Sequence, residues 1–319
     1  MATVVEKSSK SVSRKLTEDG LYYEYSQAAD PIGSGHISPI PYAEFPATLH
    51  ESGTTRLIPL DLSEQLGISG PATSPSLCAN FVRICEGESI RLNPNASSQL
   101  YFVMRGRGEA QFDGNVIPWG QGDFVVLPAG GEAVFAAEAD SALYCVHDEP
   151  MVRYLGARAE TPTFRPTLFR AEDARKELEK AAADPDAGRR SRVSVLLANK
   201  ACEQTLTVTP TLWAMFGILP IGAVQVPHRH QSVALDLIID CQPGCYTLVG
   251  KDLDAQGRIV DPVRVDWKSS SAFVTPPGYW HAHYNESGAI AYLLPIQDAG
   301  LQTYLRSLDI QFGDPDSGR

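Results

Sequence analysis

Two stretches of this 319-residue chain present the same parts in the same order. Ser98–Gly106 parallels Val233–Asp240, and Phe124–Gly130 parallels Ala272–Gly278. Each is a short apolar run rich in strand formers. The first block is broken by Asp113-Gly114-Asn115 and Gly120-Gln121-Gly122, the second by Asp254-Ala255-Gln256-Gly257. Short strands at this spacing bury their apolar face by folding into a sandwich or jelly roll. The duplication therefore predicts an all-β chain with two such blocks in tandem. We place an N-terminal arm and irregular segment at 1–75, the first block at 76–158, a linker with a helix at 159–190 and the second block at 191–319. Helix formers run without interruption from Ala171 to Ala183 and stop at Asp184-Pro185-Asp186-Ala187-Gly188. A shorter helical stretch is expected near Leu62–Leu66.

The second block carries the chemistry. His228 and His230 flank Arg229 on an expected strand, so their side chains share one face and Arg229 points the other way. Pro276-Pro277-Gly278 forces a turn that returns His281 to the same place. Three imidazoles on three neighbouring positions of one ion leave its other positions open. Affinity order alone allows iron, zinc, nickel, manganese or copper. His283, two residues beyond His281, shares its face in an extended segment and is a candidate acid/base or substrate hydrogen-bonding group. Asp236 shares the even-numbered face of His228 and His230 if all three lie on one strand. It is a second candidate catalytic and substrate-binding residue. Gln225 and Trp280 are candidate pocket walls. In the first block the repeat places Asn93 and Asn95 where His228 and His230 lie, and Ala133 where His281 lies. That set is a poor transition-metal site, so the first block is expected to be metal-less.

Charge excludes some partners. With 27 basic and 38 acidic residues the net charge is −11, unsuited to nucleic acid or an anionic membrane surface. No apolar run approaches a membrane span, and Met1–Leu16 lacks the apolar core of a secretory signal, so a cytoplasmic protein is expected. The six cysteines form no CxxC pair or zinc-ribbon pattern and read as small core residues.

Gly222-(X)5-His228-Arg229-His230 followed by Pro276-Pro277-Gly278-Tyr279-Trp280-His281-Ala282-His283 resembles the two signature motifs of the cupin superfamily. The fuller strings are similar to the gentisate 1,2-dioxygenase family, which includes salicylate dioxygenases. The resemblance implies a bicupin: two tandem jelly-roll β-barrels with short flanking helices. It implies Fe(II), or another divalent transition metal, held by His228, His230 and His281. It implies ring cleavage of a hydroxylated aromatic compound (gentisate-, salicylate- or hydroquinone-like) with O2, as in aromatic degradation, by a homodimer or homotetramer. Three departures stand out. Ala234 and Leu235 occupy the place of the glutamate ligand of the general cupin motif, in keeping with a three-histidine set. Asp236 stands where the family carries a carboxylate-pairing arginine. The histidines lie in the second block, where the family usually has them in the first. Two alternatives stay open: a three-histidine cupin oxygenase acting on a β-diketone or thiol, and a non-catalytic metal-binding cupin.

Overall fold

Four antiparallel sheets make up the fold, paired into two barrels, in a computed structural model that describes residues 17–187 and 192–313. The chain divides into units Met1–Pro39 and Ile40–Arg319. Among the described residues of the first, a four-residue helix, Tyr25–Ala28, is the regular element, and its residues are exposed. The secretory-signal reading of Met1–Leu16 lies outside the described residues.

The first barrel faces a six-stranded sheet with a four-stranded one. The six strands run in the order Thr167–Phe169, Phe124–Pro128, Ser98–Arg105, Ser141–His147, Cys78–Ile84, Arg56–Pro59. The second barrel repeats the plan with six and five strands. Its six-stranded sheet contains Ala234–Asp240 between Ala272–Thr275 and Ala291–Gln297, and its five-stranded sheet contains Trp280–Asn285 between Cys245–Gly250 and Val224–His230.

The two six-stranded sheets share a core. Leu100, Phe102 and Phe124 of one barrel bury against Phe216, Leu235 and Leu294 of the other, with the Phe124 and Phe216 rings 5.9 Å apart. Each such side chain contributes roughly 1.5–3 kcal/mol on burial. The odd-numbered neighbours Tyr101, Val103 and Val125 turn into the first barrel. Burial on both faces explains why Leu100–Val103 is apolar without alternation, whereas the outer strand Arg107–Phe112 alternates exposed and buried residues.

The expected helix forms at Ala171–Ala183 and sends Ala174 and Leu178 into the shared core, so it is a packed element and not a loose tether. Ser63–Leu66 is a single helical turn. The segment read as irregular contributes strands to both barrels. Ala43–Phe45 pairs with Ala272–Val274 of the second barrel, and Arg56–Pro59 pairs with Asn80–Arg83 of the first. These three- and four-residue strands carry too little alternation to announce themselves in sequence. All six cysteines are free thiols.

Candidate metal centre

His228 and His230 end the strand Val224–His230, and His281 and His283 lie on its antiparallel neighbour Trp280–Asn285. The register sets His228 opposite His281. Gly278, at φ +75°, makes the turn that Pro276 and Pro277 begin, and its N–H donates to the His230 carbonyl at 2.7 Å. That bond ties the approach to His281 onto the strand of the other two histidines.

A bulge tunes this strand. Its pairing shifts between Gln225, opposite His283, and His228, opposite His281. Three positions on one strand span two on the other, so Gln225 and His228 both bury toward the barrel despite unlike parity. Pro227, which has no N–H to leave unpaired, occupies the irregular stretch. The first barrel has no such insertion: Leu92 pairs with Ala133. Leu92, not Asn93, therefore takes the place of His228. The sequence alignment was off by one because the connection from Leu92 to Ser98 is one residue longer than that from His228 to Val233.

Each of the three histidines spends its Nδ1 hydrogen locally. Nδ1 lies 3.1 Å from the Val226 carbonyl in His228, 2.9 Å from the Ser232 carbonyl in His230 and 3.1 Å from the Tyr279 carbonyl in His281. A carbonyl accepts only, so Nδ1 is the donor and Nε2 keeps a free lone pair. One ligand nitrogen from each ring lies within 4.8 Å of the other two. Burial pushes all three imidazoles down, His230 to about 4, and the Arg192 guanidinium adds to that effect. They are neutral at physiological pH, as metal ligation requires. The donor set fits a divalent transition ion, and among the described residues it is the one such cluster of histidine, cysteine or carboxylate groups.

Arg192 was not foreseen. Its Nη2 donates to His228 Nε2 at 3.2 Å, and Gln297 Nε2 lies 3.4 Å from His230 Nε2. Two of the three lone pairs thus meet side-chain donors that a bound cation would displace. Arg192 also lines a cavity of about 120 Å³ beside the histidines, together with Gln225 and Gln297. Trp213 and Met215 form another wall, and Ile310 and Phe312 a third. The Trp213 Nε1–H is buried without a partner among the described residues. An orphan donor in a cavity wall costs about 1–3 kcal/mol unless a guest accepts from it. Phe312 pairs with His228 across the strands and lies 6.1 Å from its ring at 24°.

Of the remaining candidates, Gln225 lines the cavity. Trp280 does not: it lies on the outer side of its strand under the Arg229 guanidinium, 4.9 Å from ring centre to carbon. Odd and even neighbours of His281 point opposite ways, so Trp280 had to face outward. Asp236 is not on the strand of His228 and His230. The chain changes sheets between His230 and Ala234, and Asp236 buries on the opposite wall, where its carboxylate accepts from the Thr275 hydroxyl at 2.8 Å. Burial lifts its pKa to about 6, partly offset by Thr275 and by the charge of Arg192. Asp236 thus sits within the electrostatic reach of Arg192 and behind the cavity wall rather than in it.

His283 ends a directed chain. Trp267 Nε1–H donates to Thr247 Oγ1 at 2.8 Å, and that oxygen lies 2.7 Å from His283 Nδ1. Nδ1 is the one acceptor for the threonine hydroxyl hydrogen among the described residues, and donation there puts the His283 proton on Nε2. The His283 ring centre is 5.9 Å from that of His228 and 5.7 Å from that of His281.

No family model matches the chain. A 93-residue stretch is 33% identical to the 5-aminosalicylate 1,2-dioxygenase of Comamonas sp, covering 29% of this chain and 25% of that protein. A 122-residue stretch is 27% identical to gentisate 1,2 dioxygenase 1 of Aquipseudomonas alcaligenes, covering 38% and 32%. The matches thus span a quarter to a third of these relatives' length. The salicylate 1,2-dioxygenase of Pseudoaminobacter salicylatoxidans, solved as adducts with gentisate, superposes over 91% of this chain and 90% of its own. The TM-score is 0.69 at 13% identity. That likeness shows the fold: an all-β bicupin. Among the described residues, no helix is long and apolar enough to cross a membrane.

Proposed function

We propose that this protein is a non-haem Fe(II) dioxygenase that opens the ring of a hydroxylated aromatic acid with O2. The observation that carries the reading is the convergence of three Nε2 lone pairs, a guanidinium and an orphan indole N–H on one cavity. The relatives named for gentisate and substituted salicylates point to the same substrate class. His228, His230 and His281 hold the ion. Bound there, Fe(II) supplies Lewis acidity and one-electron chemistry for the reaction of the aromatic ring with dioxygen.

The protein supplies the remainder. Arg192 offers a positive charge for a substrate carboxylate, which replaces the one lost where Asp236 stands in for the family's arginine. Its contact with His228 Nε2 sets the guanidinium at the edge of the ligand set, where a carboxylate on a metal-bound ring would meet it. Trp213 Nε1–H and Gln225 supply further polar contacts at the wall. Met215, Ile310 and Phe312 exclude water from the ring and fix its plane. His283, held by Thr247 and Trp267, keeps a neutral imidazole with its proton on Nε2, poised to donate to substrate oxygen. The deciding experiment is anaerobic loading with Fe(II), metal analysis, and oxygen uptake over a panel of hydroxybenzoates. Stoichiometric iron with no uptake on any member would refute the reading.

A further inference from the structure

The first barrel keeps a cavity where the second holds its histidines. It measures about 200 Å³ and is lined by Leu57, Leu92, Pro94, Tyr101, Cys145 and His147, with Arg91, Asn93 and Glu149 at its edge. The strand registers show the correspondence. Leu92 faces Ala133 as His228 faces His281, Tyr101 faces Val125 as Asp236 faces Phe273, and His147 faces Gln99 as Gln297 faces Ala234. Leucine and alanine thus occupy the positions of His228 and His281, so the space is kept and those metal donors are gone.

One polar group is retained. His147 is 6% exposed. Its Nδ1 accepts the Glu149 backbone N–H at 3.4 Å, which leaves the ring hydrogen on Nε2. Nε2 has no hydrogen-bond partner among the described residues. The ring lines the cavity, so a guest that carries an acceptor can take this hydrogen there. Leu92 and Pro94 give apolar walls, and the Tyr101 ring, whose hydroxyl is turned away to Gln99 at 2.8 Å, adds a flat face. At the rim the Arg91 guanidinium bonds Glu132 at 2.7 Å with its side chain 74% exposed, and Glu149 is neutralised by Arg153 at 3.6 Å.

We propose that this cavity is a metal-independent binding site for a small aromatic carboxylate. The ring lies between Leu92, Pro94 and Tyr101. A carboxylate oxygen accepts from His147 Nε2–H, and Arg91 shares its charge between Glu132 and the guest. Nothing in this assignment depends on the second barrel's metal or activity.

The test is calorimetric titration of the metal-free full chain with benzoate, which has no hydroxyl to chelate a metal. An Arg192→Met background weakens the second-barrel cavity. One equivalent of benzoate per chain is expected to remain in that background. Adding Leu92→Trp, which fills the first cavity, should weaken that equivalent at least tenfold. Leu57→Trp, at a wall position 41% exposed and so tolerant of bulk, should do the same if Leu92→Trp disturbs folding by circular dichroism. No remaining equivalent in the Arg192→Met background overturns the proposal. So does affinity within twofold of that background in both tryptophan variants. Maleate, an aliphatic diacid like a ring-opened product, should bind at least tenfold more weakly than benzoate, and equal binding overturns the aromatic assignment.

Discussion

The two barrels share a strand plan and differ in what fills them. At matched positions the first has Leu92, Ala133, Phe135 and Ala110 where the second has His228, His281, His283 and Thr247. The Tyr101 and Phe135 rings meet at a tilt of 42°, 4.6 Å apart, in the first interior, and Trp119 and Phe112 pack there too. The second interior trades that aromatic plug for a hydrogen-bonded polar network. Buried polar groups are costly unless satisfied, and here Thr275, Thr247 and three backbone carbonyls satisfy them. A jelly roll can thus be closed by apolar packing or by a polar network with a ligand, and this chain does one in each half.

The sharpest way to break the contrast is to remove a ligand. His281→Ala should abolish both iron retention and oxygen uptake, while an apolar change at its counterpart, Ala133→Val, should leave the iron content at one per chain. Metal analysis of the two variants checks this. Next in size, Arg192→Met should raise KM for hydroxybenzoates about 100-fold, the worth of a charge-assisted bond of about 2–3 kcal/mol. A phenol without a carboxylate should lose far less, and steady-state kinetics on the pair separates charge recognition from general damage.

The third prediction concerns pH and the first barrel. Burial, and then the charge of Arg153, holds His147 down at about 4, against about 6.5 in the unfolded chain. A depressed histidine contributes its stability above the unfolded value and loses it as pH falls toward the folded one, because only the unfolded chain takes up the proton. Between pH 7 and pH 5 this group alone should cost about 2 kcal/mol. His147→Gln should flatten that part of the stability curve, measured by urea unfolding of metal-free protein at both pH values. The smallest effect is expected for Trp213→Phe. It keeps the ring and removes the N–H, so kcat/KM should fall about five- to tenfold, near 1 kcal/mol.

Much of this molecule could be read before its structure. His228, His230 and His281 stood out because strand alternation and a Pro-Pro-Gly turn are local rules. The helix Ala171–Ala183 was equally local. What escaped depended on register. Arg192 lies 36 positions before His228 and reaches it only because Val193–Leu197 pairs with Trp213–Leu219 at the barrel's edge. Phe312 reaches His228 through a three-residue strand. Asp236 was placed on the wrong wall because the chain leaves one sheet for the other after His230, and Asn93 was matched to His228 because the turn after Leu92 is one residue longer than the turn after His228, which an ungapped alignment hides. Trp213 and Met215 were the recoverable misses, since alternation puts both on one face of an apolar strand.

Ala43–Phe45 has a further consequence. It pairs with the sheet of the second barrel although the first barrel follows it in the chain. Residues 310–312 complete the other sheet of that same barrel. On the ribosome, the early strand must wait while some 225 residues emerge before its neighbour at 272 exists, and the wall at Phe312 arrives later still. The histidine cage is therefore complete only once residues 310–312 have been made, well after the strands of the first barrel, so an ion would meet a finished site rather than a growing one.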